Sequence, residues 1–560
     1  MERILFLVPP NITFSDFIAP PENVGTVKLA CSERKFGSVI TDIPLGIISL
    51  SAYLKKHLPI ASKAIDFNVQ LLRESDFAFT DFRSYFQQHL AAKSYSNFSP
   101  TVIALSAQFT SSYDSIVDLA EVCREQFPEA MILAGGNLVT AMYRELFHDT
   151  RCIDAICFGE GELPLAELLA ATDRQALIAN HPSWISQKKL STPGIISQHT
   201  FIDDLDEIPF LDYDILDLDG YRLNPTLSRY SVGTDSTDSL AIMTSRGCPF
   251  KCTFCASHHA HGRKMRYYSE ARVVEDIDRV ITRYGIKSFI IQDDHFMGGG
   301  ERPYNIVAAI KDRGGAIFFQ NALALYALDR RFLQLLKDAG IDELVLPVES
   351  GSARVLKEVM HKPLKLDIVK RVTADCREIG IFTDCNIIVG MPGETKQDIA
   401  EGREFLKTLY GDWYRVFVAT PIPGSAMYDE AIAAKYFVDS PVNANYKRAV
   451  IETPEWSAEY IQHISYAMNI ELNFVFNTNM RLGNYSRALA CFENALQAKP
   501  EHAIALFYAG LCLHRLDKAE RAAEYLHKAR NFAASTDFWI PYINMFQIPI
   551  FQDNILSQPE

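Results

Sequence analysis

The chain has 560 residues, 48% of them hydrophobic and 22% charged, and a formal net charge of −14. A chain of this length exceeds one hydrophobic core and divides into three or four domains, with the ordinary composition of a globular protein. The acidic balance argues against a protein whose main work is gripping phosphate backbones, which needs dense Lys and Arg, although a local basic patch stays compatible with it.

The first apolar run, in "MERILFLVPPN", is five residues long and stops at Pro9 and Pro10. A secretory signal needs a longer apolar core and a small-residue cleavage site. No stretch approaches the eighteen apolar residues of a membrane helix. The expectation is a soluble, cytoplasmic protein whose thiols stay reduced, so clustered cysteines point to metal or catalysis rather than to disulfides. Eight of the eleven cysteines are scattered and read as buried packing.

Residues 1–170 alternate short apolar runs with helical patterns. The expected strands are 3–8, 62–68, 101–107, 130–136 and 155–161, with helices such as 44–57 and 115–127 between them. Near-continuous apolar strands alternating with helices predict a parallel sheet covered on both faces, with ligands at the carboxyl ends of its strands. Residues 171–238, acidic and interrupted by proline, read as a linker that packs between domains.

A second alternating series fills 239–440, with expected strands at 239–247, 287–294, 316–323, 343–350, 383–390 and 415–421. Six strands, each followed by a helix or turn, predict a partial (β/α)6 barrel of the TIM type, whose chemistry sits in the loops after the strands. Residues 441–535 read as helical, and a period of 34 appears within them: Leu482 matches Leu516, Ala488 matches Ala522, and Ala495 matches Ala529. Ala488, Phe492, Ala495 and Pro500 follow tetratricopeptide spacing, and Gly510 fits the next small position. Two such units need support from a neighbour, either the barrel or a helix near 457–470. Residues 536–560 read as a tail.

Directly after the first barrel strand stands "SRGCPFKCTFCAS", residues 245–257. Cys248, Cys252 and Cys255 fall within eight residues, beside Gly247 and Pro249. Three thiolates on one tight loop can hold three irons of a [4Fe–4S] cluster and leave the fourth open to a ligand that is not cysteine. Zinc is the competing assignment. It wants four ligands, and His258, His259 and His261 follow closely.

These residues carry a family resemblance. "CPFKCTFC" resembles the signature of radical S-adenosylmethionine enzymes, and "QDDHF" (292–296), "PVESGS" (347–352), "IIVGMPGET" (387–395) and "TPIPGS" (420–425) follow in that family's order. The resemblance implies that the open iron chelates S-adenosylmethionine and that its reductive cleavage yields a radical able to abstract hydrogen from an unreactive carbon. It further implies that Phe254 contacts the adenine, that Glu349 and Ser350 reach the ribose or methionine part, and that Gly390 to Gly393 let the backbone approach the nucleoside. Asp293 and Asp294 either cap the next segment or face the pocket; adjacent strand residues point opposite ways, so they do not form an acid–base pair.

Residues 1–170 resemble the flavodoxin-like, doubly wound cobalamin-binding domain that precedes the barrel in one branch of this superfamily. The match rests on "PLG" (44–46), "IALSAQ" (103–108), "AGGNLVT" (134–140) and "FGEGELPLAELL" (158–169). It implies cobalamin contacts from Ser106, Gln108, Gly135, Gly136, Asn137, Thr140, Gly159, Glu160 and Gly161, with Ser106 and Thr140 as hydrogen-bond donors. One departure matters. Methionine synthase carries Asp-x-His-x-x-Gly after its first strand, whereas the first histidine here is His57, beyond the first helix. The resemblance thus implies a cobalt without a histidine from that loop.

The expectation is a cobalamin-dependent radical enzyme, α/β with an all-α repeat region, that methylates an unactivated carbon of a small-molecule or peptide substrate. Its cofactors would be the [4Fe–4S] cluster, S-adenosylmethionine and cobalamin, with a reducing donor of the flavodoxin or ferredoxin type and a protein partner at the repeats. Neither nucleic acid nor a membrane span is expected. A cyclisation or rearrangement without methyl transfer uses the same cofactor sites and stays open. So does a repeat-based scaffold with a vestigial barrel. Methylthiolation of transfer RNA calls for three more N-terminal cysteines, and the first 120 residues hold only Cys31.

Overall fold

The computed structural model describes residues 1–21, 25–191, 198–221, 239–439 and 448–552. Parts of the expected linker (192–197 and 222–238), the end of the barrel series with the start of the helical region (440–447) and the end of the tail (553–560) lie outside the described residues. Two compact units result. One comprises Met1–Asn321 with Pro421–Ala433; the other comprises Ala322–Thr420, Ala434–Asp439 and residues 448–552.

The first unit begins with a six-stranded sheet. Its strands are β1 (Glu2–Val8), β2 (Ile60–Asp66), β3 (Val102–Ser106), β4 (Met131–Gly135), β5 (Ala155–Cys157) and β6 (Trp184–Ile185), in the order β2-β1-β3-β4-β5-β6. All pairings are parallel except β5 with β6. The order is that of a flavodoxin-like sheet with its switch point between β1 and β3, where ligands of such sheets bind. Ile4, Leu5, Phe6 and Leu7 are all buried, so β1 is covered on both faces as its unbroken apolar run predicts.

Two expectations shift here. The strand expected at 155–161 stops at Cys157, because Gly159 adopts a positive φ of 81° and turns the chain out of the ladder. The layer also runs past residue 170, through helix Arg174–Asn180 into β6. Residues 198–221 then strap the unit together. Tyr213 donates to the Ala241 carbonyl, Tyr221 donates to Asp66, and Asp212 accepts from Ser51 and Lys55.

The same unit holds β7 (Ser239–Ile242), β8 (Ser288–Ile291) and β9 (Ala316–Phe319), a parallel sheet with β8 in the middle. Helix Glu270–Tyr284 follows β7. Ser269 caps its start, and Gly285, at φ 69°, ends it.

The second unit carries β10 (Glu343–Glu349), β11 (Phe382–Val389) and β12 (Trp413–Val418) in sequential parallel order. The six expected barrel strands therefore all exist, as two three-stranded parallel sheets. Helices Tyr485–Ala498, Ala503–Arg515 and Ala519–Ser535 form the repeat region. Gly510 is needed there for packing, since a Cβ would lie 2.8 Å from Leu526.

The support that two repeats need comes from β12. Asn473, fully buried, accepts from the Tyr414 N–H at 2.8 Å and donates to the Tyr414 carbonyl at 2.7 Å. Asp412 accepts from Arg377, Asn479 and Arg487 in the same layer. Asn473→Ala strands one buried backbone donor and one acceptor, at a cost of about 2–4 kcal/mol. The expected outcome is a lower urea midpoint by far-ultraviolet circular dichroism; an unchanged midpoint would contradict the role given to Asn473.

Candidate functional site

The carboxyl ends of β1, β3, β4 and β5 open into a recess with about 1180 Å³ of free space, mouth included. Ser106, Gln108, Gly135, Gly136, Asn137, Gly159, Glu160 and Gly161 all line it. The structure thus brings together eight of the nine residues expected around cobalamin. The ninth, Thr140, is buried behind the wall, where its hydroxyl accepts from the Gly159 N–H and ties the β4 and β5 loops together.

The glycines divide by what they meet. At Gly136, φ is 99° and a Cβ would stand 2.4 Å from the Ala107 carbonyl oxygen, so the fold itself requires glycine. At Gly135 a Cβ would meet nothing within 4 Å. Its side-chain position opens into the recess, a cradle that any larger residue would fill.

The opposite wall comes from the second half of the same unit. Arg246, His261, Tyr268 and Gln292 line it. Arg246 and Arg266 lie directly opposite each other in a two-residue antiparallel ladder, Ser245–Arg246 with Arg266–Tyr267. That ladder closes the loop holding Cys248, Cys252 and Cys255. Like charges in register repel, and both guanidinium groups are buried.

Glu160 answers that problem. Its carboxylate accepts from Arg266 at 2.5 and 2.9 Å and from His261 at 2.8 Å, and stands 3.1 Å from Arg246. Arg246 also reaches Glu162 at 2.7 Å, and Ser49 donates to the same carboxylate at 2.5 Å. Burial alone would raise the Glu160 carboxyl, but Arg246, His261 and Arg266 hold it well below the usual carboxylate range. Glu160, expected as a cofactor contact, lines the recess with its carboxylate committed to the cysteine loop. Arg246, Arg266 and Glu162 were not among the expected site residues, and His261, expected only as a competing zinc ligand, is bound to Glu160 instead; two arginines flanking the cysteine loop and an acidic "GEGE" were the signal for them.

Within the loop, Gly247 has φ 93°, and a Cβ there would lie 2.4 Å from the Lys264 carbonyl oxygen. The three cysteines are half-buried, and so is Phe254 between them in the chain. Among the described residues no three His, Cys, Asp or Glu side chains converge on one ion position, as a zinc site requires. A cubane spreads its cysteines over separate irons and needs no such point. Asp293 is buried and accepts from the Thr244 N–H and from the Thr244 and Ser245 hydroxyls, each at 2.6 Å. It therefore anchors the entry to the loop rather than facing the recess. Asp294 Oδ2 is buried without a hydrogen-bond partner.

In the second unit, Glu349 ends β10 at φ 62°, a conformation that costs a non-glycine residue energy and is common where function demands it. Its buried carboxylate accepts from Lys362 at 2.9 Å. Ser350, beside it, is buried and accepts from the Ser352 N–H. Gly390, at φ 90°, faces Ile461, which a Cβ would approach to 2.7 Å; Gly393, at φ 84°, has ordinary space. Glu394 is buried and accepts from the N–H groups of Gly390 and Met391.

Residues 242–406 match the radical SAM superfamily, residues 42–169 the B12 binding domain, and residues 476–536 a tetratricopeptide repeat. The chain thus carries a B12-binding domain followed by a radical SAM domain. An uncharacterized methyltransferase of Pyrococcus horikoshii is 27% identical over 396 residues, covering 70% of this chain and 79% of the relative. Cytidylyl-2-hydroxyethylphosphonate methyltransferase of Streptomyces wedmorensis is 27% identical over 407 residues, covering 67% and 75%. Among solved structures, the radical S-adenosylmethionine methyltransferase TsrM of Kitasatospora setae, with cobalamin and a [4Fe–4S] cluster bound, shares the fold at a TM-score of 0.56, with 15% identity over 96% of this chain and 100% of that one.

Two predictions follow from the buried charges. Arg246→Met leaves Glu162 without its cation, and breaking a buried pair from one side costs about 3–5 kcal/mol. Adding Glu162→Gln should restore part of that loss in a thermal melt, and no recovery would count against the pairing. Burial raises the Glu394 carboxyl to about 7 from 4.5, against the pull of its two backbone donors. The folded state therefore holds a proton that the unfolded chain releases, and stability present below pH 4.5 is lost as pH rises through about 7. Glu394→Gln should flatten the fall in urea midpoint between about pH 5 and 8.

Proposed function

We propose that this protein is a cobalamin-dependent radical S-adenosylmethionine methyltransferase acting on carbon. One observation carries the proposal: the carboxylate that lines the strand-end recess, Glu160, also clamps the loop holding the three cysteines. A B12-type cradle and an iron–sulfur loop are thereby held as one piece. The methyltransferase relatives support methyl transfer over other uses of the same sites.

When bound, the cluster, S-adenosylmethionine and cobalamin supply a radical able to take hydrogen from an unreactive carbon and a methyl group to place there. Cys248, Cys252 and Cys255 would hold three irons, with the Gly247 turn letting the backbone close around them. Ser106, Gln108 and Asn137 would offer polar contacts to cobalamin, while Gly135 leaves room for it. Phe254, Glu349, Ser350, Gly390 and Gly393 would serve S-adenosylmethionine. There Lys362 fixes the Glu349 carboxylate, and Glu394 holds the glycine turn rigid. Arg246 and Arg266 orient the cysteine loop through Glu160.

Electron paramagnetic resonance of anaerobically purified, cobalamin-supplied protein tests this. The expected spectrum has a stoichiometric cob(II)alamin signal without nitrogen splitting, beside a reducible [4Fe–4S] signal. Cys252→Ala should reduce bound iron to background and spare the cobalt. Gly135→Val should do the reverse, because its side chain enters the recess and not the fold. An iron–sulfur signal without bound cobalt would sink methyl transfer through cobalamin. S-adenosylhomocysteine formed beside 5′-deoxyadenosine in a substrate screen would separate methylation from rearrangement.

A further inference from the structure

Gln292 lines the strand-end recess but takes no part in the buried ionic cluster. It follows β8 directly, and its backbone is held on both sides. The Gln292 N–H donates to the Ile242 carbonyl at 3.0 Å, and the Gln292 carbonyl accepts from the Asn321 side chain at 3.2 Å. Its own side chain joins a relay. Gln292 Nε2 donates to Gln320 Oε1 at 2.7 Å, and Gln320 Nε2 donates to Asp42 Oδ2 at 2.6 Å. Gln320 follows β9 directly; Asp42 stands just ahead of helix Leu45–His57, whose Leu45 and Gly46 line the same recess. The direction of this relay is not free. A carboxylate only accepts, so Gln320 must turn its Nε2 to Asp42 and its Oε1 to Gln292. Gln292 must then turn its Nε2 to Gln320, with its Oε1 on the branch facing away. Among the described residues no group donates to that oxygen. Asp42 thus fixes, through two amides, that Gln292 holds out an acceptor.

We propose that this relay selects a fully amidated corrin: Gln292 Oε1 accepts a hydrogen bond from a side-chain primary amide of cobalamin, and Gln320 and Asp42 are positioning residues behind it. The proposal rests on the function above, in which the recess holds cobalamin. A primary amide on the corrin rim carries two N–H donors. The same group hydrolysed to an acid is ionised at neutral pH and only accepts. Against Gln292 the acid sets acceptor against acceptor, with the Asp42 charge behind, and a polar group left unpaired on binding weakens the complex. An amide that nothing orients would turn over and offer its Nε2 to the acid. The carboxylate at the far end of the relay removes that choice, so discrimination depends on a residue that itself stands two side chains from the ligand.

The test is equilibrium dialysis of the full, cluster-loaded chain against hydroxocobalamin, and separately against its monocarboxylic acids, in each of which one corrin propionamide is hydrolysed. Bound corrinoid is read by visible absorbance. Wild-type protein should bind hydroxocobalamin about tenfold more tightly than at least one of the acids, the size of one lost hydrogen bond. Gln320→Ala breaks the relay and keeps the Asp42 charge; it should cut that preference to about twofold or less. Asp42→Asn should do the same. Gln320 is exposed and Asp42 half-buried, so bound iron and the melting temperature should stay at wild-type values in both variants. Acids that bind wild-type protein as tightly as hydroxocobalamin does would overturn the proposal. So would a preference that survives Gln320→Ala, even if Asp42→Asn abolishes it, because that pattern is charge repulsion without a relay. A cluster-loaded wild-type protein that binds no corrinoid at all would instead overturn the cobalamin function on which the proposal rests.

Discussion

Two buried arginines facing each other across a two-residue ladder are the constraint on which the first unit depends. Arg246 and Arg266 close the cysteine loop, and neither can remain beside the other without an anion between them. Glu160 is that anion, and it comes from the β5 loop of the N-terminal sheet. Glu162, from the same loop, completes the charge balance on Arg246. The loop that shapes the recess is therefore the loop that fixes the iron–sulfur ligands. Arg266 also stacks over Phe201, from the strap, at 4.2 Å. The sheet, the strap and the cysteine loop are locked by one buried ionic cluster.

Such a cluster is demanding. The Nε atoms of Arg246 and Arg266 are buried without hydrogen-bond partners. A pair of well-packed apolar residues could serve stability as well. What the ions add is register: a guanidinium accepts a carboxylate in a few geometries only, so the loop cannot slide against the recess. A site holding two large cofactors needs that fixity more than it needs extra stability.

The second unit solves a different problem with similar means. Its repeats are too few to stand alone, and buried polar side chains, Asn473 and Asp412, tie them to β12. Helix Ala458–Ile470 enters the same layer, and its Ile461 leaves no room at Gly390 for a side chain. A glycine that the family pattern assigns to nucleoside approach thus also serves helix packing.

Much of this was legible in the chain. Apolar runs four to eight residues long, bounded by glycine and proline, marked the sheet strands, because a strand covered on both faces has no polar alternation to hide. The C-x-x-x-C-x-x-C spacing marked the metal loop, because three thiols within eight residues on one glycine- and proline-flanked turn suit a cluster of metal ions. The "GG" and "GEGE" ends marked the recess, because only glycine leaves a strand end open. The roles of Thr140, Glu160 and Asp293 were not legible. Each stands where a ligand contact was equally reasonable, and each is turned to holding loops together. The split of the barrel strands into two sheets, the continuation of the first sheet through β6, and the pairing of Arg246 with Glu160 were decided only by tertiary structure. Those contacts join residues 86 positions apart or depend on which strand finds an edge, and local sequence pattern records neither.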